Sequence, residues 1–251
     1  LHLGVTFAAA FVAGAMNSVA GGGTLITFPT LIWLGLPSVT ANATSTVAIW
    51  PGSLGAMWGY RRELRGSDSR MLALVAPSLI GGLIGALLLR LTPTETFDRL
   101  VPFLILFATL LFTAQQPVQN LLKRLGSAEH HSGRWLAGAM LFQLLVALYG
   151  GYFGAGIGIL MLAALSVLGL TDIHQMNGWK NFFALCINGV AALYFMLAKM
   201  VFWPDVLVMA IGAIAGGYGG AGVARRLGRS AVRRIVIIIG FGMALSLFFK
   251  R

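Results

Sequence analysis

The sequence predicts an all-α fold, a polytopic integral membrane protein made of two inverted repeats with broken or re-entrant helices. Three observations lead there. Of the 251 residues 58% are hydrophobic and only 10% charged, with a mean hydropathy of +0.85. A soluble domain carries roughly a quarter charged residues, because its surface has to be wetted. Apolar stretches long enough to cross about 30 Å of hydrocarbon recur from end to end. Glycine clusters interrupt that pattern twice, at corresponding places in the two halves of the chain.

The apolar segments fall at about 3–16, 24–35, 39–60, 71–91, 98–114, 135–151, 157–169, 173–198, 204–224 and 232–249. The first lacks a basic leader and runs into Asn17-Ser18 instead of a small-residue cleavage site, so it does not read as a signal peptide. The chain starts at Leu1 without a Met, and the start reads as trimmed or processed. The second segment is too short to span alone and follows Gly21-Gly22-Gly23. The third is long, with Asn42, Thr44, Ser45 and Thr46 near its start. The fourth is glycine-rich and the fifth closes the half. The sixth to tenth segments repeat this order, with the short one following Gly150-Gly151 through Gly158. The 33 glycines suit helices whose backbones approach closely within a membrane.

A constant offset of 135 places Asn42 on Asn177, Gly81 on Gly216, Gly85 on Gly220, Ala86 on Ala221 and Arg90 on Arg225. The first repeat is therefore assigned to 1–114, a cytoplasmic connector to 115–134 and the second repeat to 135–251. Charge orients them. The gap from Arg61 to Arg70 is strongly basic, whereas the matching gap from Lys199 to Asp205 holds one Lys and one Asp. The next gap of the second half, from Arg225 to Arg234, is basic, and its counterpart at 90–99 is balanced. Because basic gaps stay cytoplasmic, the two halves take opposite orientations. Both termini then face outward, although Lys250-Arg251 is a mild objection.

Several function classes fall away. The net charge of +11 sits mostly in short gaps between apolar segments, where it sets topology and meets lipid headgroups. No basic stripe on a soluble face remains for nucleic acid. The single cysteine, Cys186, rules out an internal disulfide or CxxC chemistry. There is no HExxH motif and no Ser-His-Asp arrangement, and no Asp or Glu is placed inside a span, so the chain is not expected to be an enzyme. No cofactor or metal is implied, and a carboxylate-based Na⁺ or proton carrier is disfavoured.

Inverted repeats with helices interrupted at matching positions put a binding site near the midplane. A helix restarting there aims unpaired N–H groups and the positive end of its dipole at an anion. In half one the candidates are Asn17, Ser18, Gly21, Gly22, Gly23 and Thr24. In half two they are Gly154, Gly156 and Gly158. Against this stands a glycine-eased kink in which Asn17 and Ser18 satisfy freed backbone groups. Asn42/Thr46 and Asn177/Asn181 are i, i+4 pairs, each presenting two polar groups on one helix face.

Lys180 has two open readings. It is a counter-charge for an anionic substrate, or it snorkels to the interface beside an aromatic-belt Trp179. Asp172 reads as a helix cap, His174 as a loop residue with a minor claim to proton relay, and His130 and His131 as solvated connector residues. Gln143 reads first as a packing residue.

The run Ala13-Gly14-Ala15-Met16-Asn17-Ser18-Val19-Ala20-Gly21-Gly22-Gly23-Thr24, with Phe28-Pro29, Gly35-Leu36-Pro37 and Ala41-Asn42-Ala43-Thr44, resembles the TauE/SafE sulfite exporter family. The same family is called the 4-toluene sulfonate uptake permeases. Gly151-Tyr152-Phe153-Gly154-Ala155-Gly156, Gly169-Leu170 and Lys180-Asn181 are similar to its second repeat. The resemblance implies a secondary transporter of sulfite, sulfonates or related organosulfur anions in a bacterial inner membrane. It carries over to Asn17–Thr24, Asn42 and the second glycine break, with direction and exact cargo left open. The expected partners are a small anion and the lipid bilayer, with a homodimer as an assembly the reading allows. The rival classes are a membrane-embedded enzyme acting on lipid-linked phosphate, and a channel or partner subunit.

Overall fold

The computed structural model describes residues 2–19, 22–59, 64, 69–125, 133–168, 170, 172–227 and 229–249. They form ten α-helices and no strand. The first five are α1 (His2–Val19), α2 (Thr24–Trp33), α3 (Ser38–Gly59), α4 (Val75–Leu91) and α5 (Thr94–Leu125), with a 3-10 turn at Ser69–Leu74 ahead of α4. The second five are α6 (Gly133–Tyr152), α7 (Ile157–Val167), α8 (Ile173–Leu197), α9 (Trp203–Leu227) and α10 (Arg229–Phe249). Much of the stretch read as a connector is helical, since α5 continues to Leu125.

Among the described residues, Met71–Leu91, Thr94–Ala114 and Gln175–Leu197 are each long and apolar enough to cross a membrane. The helices α2 and α7 have ten and eleven residues, or roughly half the hydrocarbon thickness at about 1.5 Å per residue. The distribution of side chains is that of a protein in lipid. Leu79, Ile80, Leu83, Ile84, Phe103, Leu141, Leu145, Ile211 and Leu245 face outward, while Thr27, Asn42, Thr44, Ser45, Ser78 and Gln143 are buried. In water this arrangement would be unfavourable; in a bilayer it hides the groups that lipid cannot hydrogen-bond.

The packing scheme repeats across the two halves. The first helix of each half lies on the fourth helix of the other, α1 on α9 and α6 on α4. Likewise α3 packs on α9 and α8 on α4, α2 touches α10 and α7 touches α5, while α3 crosses α8 and α5 crosses α10. Exchanging the first five helices for the last five maps the first six of these pairings onto one another in twos and the α3–α8 and α5–α10 pairs onto themselves.

Glycines permit these crossings. A Cβ on Gly85 would run into the Leu148 carbonyl and the Tyr152 amide of α6, and one on Gly216 would meet the Phe11 carbonyl of α1. Between α4 and α6, Gln143 Nε2 donates to Ser78 Oγ at 2.8 Å, which gives Gln143 the packing role expected of it.

One expectation needs correcting. Asp205 was read as part of a gap, but α9 starts at Trp203, so Asp205 lies in its first turn and is fully buried. Its carboxylate meets His2 Nε2 at 2.9 Å across the α1–α9 contact. Asp205 therefore stands in the first turn of a helix, as Glu95 and Asp98 stand near the start of α5, where the charge pattern places all three in gaps. The reason is that the Trp-Pro pair before Asp205 opens the helix early, Pro being well suited to a helix's first turn.

Candidate functional site

Each of the two breaks is a left-handed turn that only glycine adopts without strain. Gly22 has φ of 88°, and Gly154 and Gly156 each have φ of 79°. The breaks then diverge in chemistry. In half one Asn17 Oδ1 accepts the Gly23 N–H at 2.8 Å. The next amides turn inward, Leu25 to the Gly22 carbonyl and Ile26 and Thr27 to the Gly23 carbonyl. Gly23 and the first turn of α2 thus already have partners for these donors. Thr24 is buried there. Gly21 and the Ser18 side chain lie outside the described residues.

In half two one of the corresponding bonds is longer. Ile157 N reaches the Gly154 carbonyl only at 3.5 Å, whereas Ile159 N reaches that of Gly156 at 3.1 Å. A backbone bond at 3.5 Å is weak, so the Ile157 N–H at the start of α7 is held lightly. The turn is fixed from the side by Tyr149, whose hydroxyl donates to the Ala155 carbonyl at 2.7 Å. Phe153 packs edge-on against Phe28 of α2, with ring centroids 5.2 Å apart, so the two breaks are joined through these rings.

Two long helices bring polar groups to the second break. Lys180 of α8 lays its stem over Gly158, where a Cβ would stand 3.3 Å from its Cδ. Its Nζ donates to Asn177 Oδ1 at 3.1 Å. Trp179 is buried against Phe182 and Phe183, which removes the interfacial aromatic that the snorkelling reading paired with Lys180.

From half one, Asn42 Nδ2 donates to the Tyr152 carbonyl at 2.9 Å. Thr46 Oγ1 turns back to the Asn42 carbonyl at 2.9 Å and so braces α3 at this point. Thr44 and Ser45, from the same cluster, serve packing. Thr44 Oγ1 accepts the Phe202 N–H at 3.0 Å, and Ser45 Oγ lies 2.6 Å from Thr27 Oγ1.

The structure thus brings Lys180 and Asn177 to Gly158 at the start of α7, with Asn181 one turn along α8 from Asn177, and brings Asn42 to Tyr152 just before the Gly154–Gly156 turn. Asn17 and Gly22–Thr24 form a separate, self-capped end. The side chain of His174 and residues 130–131 lie outside the described residues.

Sequence reading missed Asn188. It stands on α8 at i+11 from Asn177 and i+7 from Asn181, and its Oδ1 is 3.7 Å from where a Cβ on Gly154 would be. The heptad spacing was the available signal, masked by the apolar run around it. Among the described residues no cluster of His, Cys, Asp or Glu could hold a metal ion.

A family model described as Sulfite exporter TauE/SafE matches residues 6–247. A probable membrane transporter protein of Haemophilus influenzae is 27% identical, over 99% of this chain and 95% of its own. The probable membrane transporter proteins ORF9 of a Sinorhizobium species and YfcA of Escherichia coli are each 26% identical. They align over 98% and 99% of this chain and over 92% and 90% of their own lengths. No solved structure matches the chain.

Proposed function

Because the chain belongs to the TauE/SafE sulfite exporter family and is a multi-pass membrane transporter, we propose that it carries sulfite or an organosulfonate across a bacterial inner membrane by alternating access. The observation that carries this reading is the meeting of Lys180 with the glycine turn that opens α7. A fixed cation, a helix N-terminus and amide side chains in a water-poor place suit a small oxyanion, because each stabilises negative charge without needing solvent.

In this reading the anion sits where α7 begins. Gly154, Gly156 and Gly158 let it approach the backbone, Lys180 supplies counter-charge, and Asn177, Asn181 and Asn42 orient its oxygens. The half-one end at Asn17 and Gly22–Thr24, joined to the second break through Phe28 and Phe153, is the second wall in this reading. The family model's name supports the sulfur cargo, and the short helices α2 and α7 support a site within the membrane.

The test is substrate counterflow in proteoliposomes. Saturable exchange of sulfite or a small sulfonate is expected for the native chain. Lys180→Ala should lower it at least about tenfold, the weight of a lost charge-assisted bond of about 1.5–3 kcal/mol, and Lys180→Arg should restore part of it. A native chain that exchanges none of these anions would overturn the reading.

A further inference from the structure

Two amides from opposite halves converge on the turn between α6 and α7, and one of them holds an atom with nothing to bond. Asn42 is only 1% exposed. Its Nδ2 is committed to the Tyr152 carbonyl, and its Oδ1 has no partner. Flipping the amide does not help, because that would set two oxygens face to face.

Asn188 reaches the same turn from α8, its amide 3.7 Å from where a Cβ on Gly154 would stand, and a carboxamide can turn its NH₂ to donate there. Among the described residues the Asn188 amide has no hydrogen-bond partner. The two helices are registered to each other close by. Trp50 Nε1 of α3 donates to the Leu185 carbonyl of α8 at 3.4 Å, and the Trp50 ring lies 3.1 Å from the position of a Cβ on Gly189.

We propose that Asn188 is a substrate-contacting residue and that it works with Asn42 to select anions bearing their own hydrogen-bond donor. The class is hydrogen sulfite and hydroxy- or amino-substituted sulfonates, in preference to fully ionised sulfite or a plain alkanesulfonate. This rests on the transport reading above and adds the selection rule to it.

The physical reason is an imbalance. Lys180 and the α7 end supply donors for sulfur-bound oxygens, but Asn42 Oδ1 is an acceptor. An oxygen of an anion placed against it meets lone pair with lone pair. A ligand O–H or N–H fills it instead, and a buried acceptor left unmet costs about 1–3 kcal/mol. Sites built to bond a ligand hydroxyl reject the analogue that lacks it for this reason.

The purified full-length chain is titrated calorimetrically with 2-hydroxyethanesulfonate and with ethanesulfonate, which differ by one hydroxyl. The native protein should bind the hydroxyl-bearing ligand about tenfold more tightly. This comparison tests the Asn42 acceptor without altering the protein. Asn188→Ala should weaken both ligands by a similar factor, keep their ratio and leave the ligand-free melting temperature unchanged.

Equal native affinities for the two sulfonates overturn the selection rule. Native-like binding by Asn188→Ala, or a parallel loss of melting temperature, overturns the contact role of Asn188. In either case the transport reading stands as long as sulfite or a sulfonate binds. If neither sulfonate nor sulfite binds, both conclusions fall.

Discussion

Asn17 shows how one side chain decides what an interrupted helix can do. Its carboxamide oxygen takes the Gly23 N–H, so it acts on α2 as an N-terminal capping group does and relieves an otherwise unmet donor. Asn17→Ala should therefore cost about 1 kcal/mol of stability, read as a lower melting temperature in detergent. Asn17→Asp keeps the acceptor and should melt like the native chain. Its carboxylate should nevertheless slow anion counterflow, because it sets a negative charge near the candidate pocket. A native flux in Asn17→Asp would place that pocket farther from α2. The polar residues of α3 and α8 were legible because they interrupt apolar runs. Which of them bond to backbone and which stay free was not, since Thr44, Ser45 and Thr46 look alike in sequence and only their neighbours separate them. The burial of Asp205 was not legible for the same reason. Nothing in its local sequence announces that His2, 203 positions away, will cover it.

At the scale of elements, glycine plays two physically different parts, and the sequence alone does not sort them. At the breaks it supplies a left-handed turn; along α4 and α9 it lets two backbones touch. The matched spacing of the breaks was readable, and so was the shortness of α2 and α7, because both follow from length against membrane thickness. The partners of α4 and α9 were not readable, because a bare Cα presents no pattern that names the surface it meets. Gly85→Ala gives the sharpest test. Its new methyl would collide with backbone atoms at Leu148 and Tyr152, which cannot move aside as a flexible side chain would. A loss of about 1–3 kcal/mol is expected, with a lowered melting temperature and weakened anion binding, since Tyr152 borders the second break. Gly138→Ala in α6 is the control. Nothing lies within 4 Å of its added methyl, and alanine is the better helix former by up to about 1 kcal/mol. Equal melting of the two variants would mean that α4 and α6 do not pack this tightly in the membrane.

For the whole molecule, the contacts between helix ends bear on both orientation and movement. In the charge-based scheme the ends of α4 and α8 and the starts of α1, α3 and α9 share the outer face. Three contacts join such ends: His2 with Asp205, Arg90 with Tyr194, and Thr44 with the Phe202 amide. All three fit halves that run in opposite directions. Yet α1 lies on α9 and α6 on α4, so the sequence halves interlock. The contacts group α1–α3 with α9 and α6–α8 with α4, and the two groups meet where α3 crosses α8. Alternating access would then be a movement at that crossing, where Trp50 meets Leu185 and Gly189 beside Asn188. In a Cys186→Ala background, two pairs of cysteines separate the possibilities, each compared before and after joining by a short thiol cross-linker. Joining positions 2 and 205 ties α1 to α9 inside one unit and should leave counterflow near its unlinked rate. Joining positions 50 and 189 ties α3 to α8 between the units and should lower it about tenfold or more. Full counterflow with the second link closed would mean that transport needs no motion at this crossing, and the moving boundary would have to lie elsewhere in the bundle.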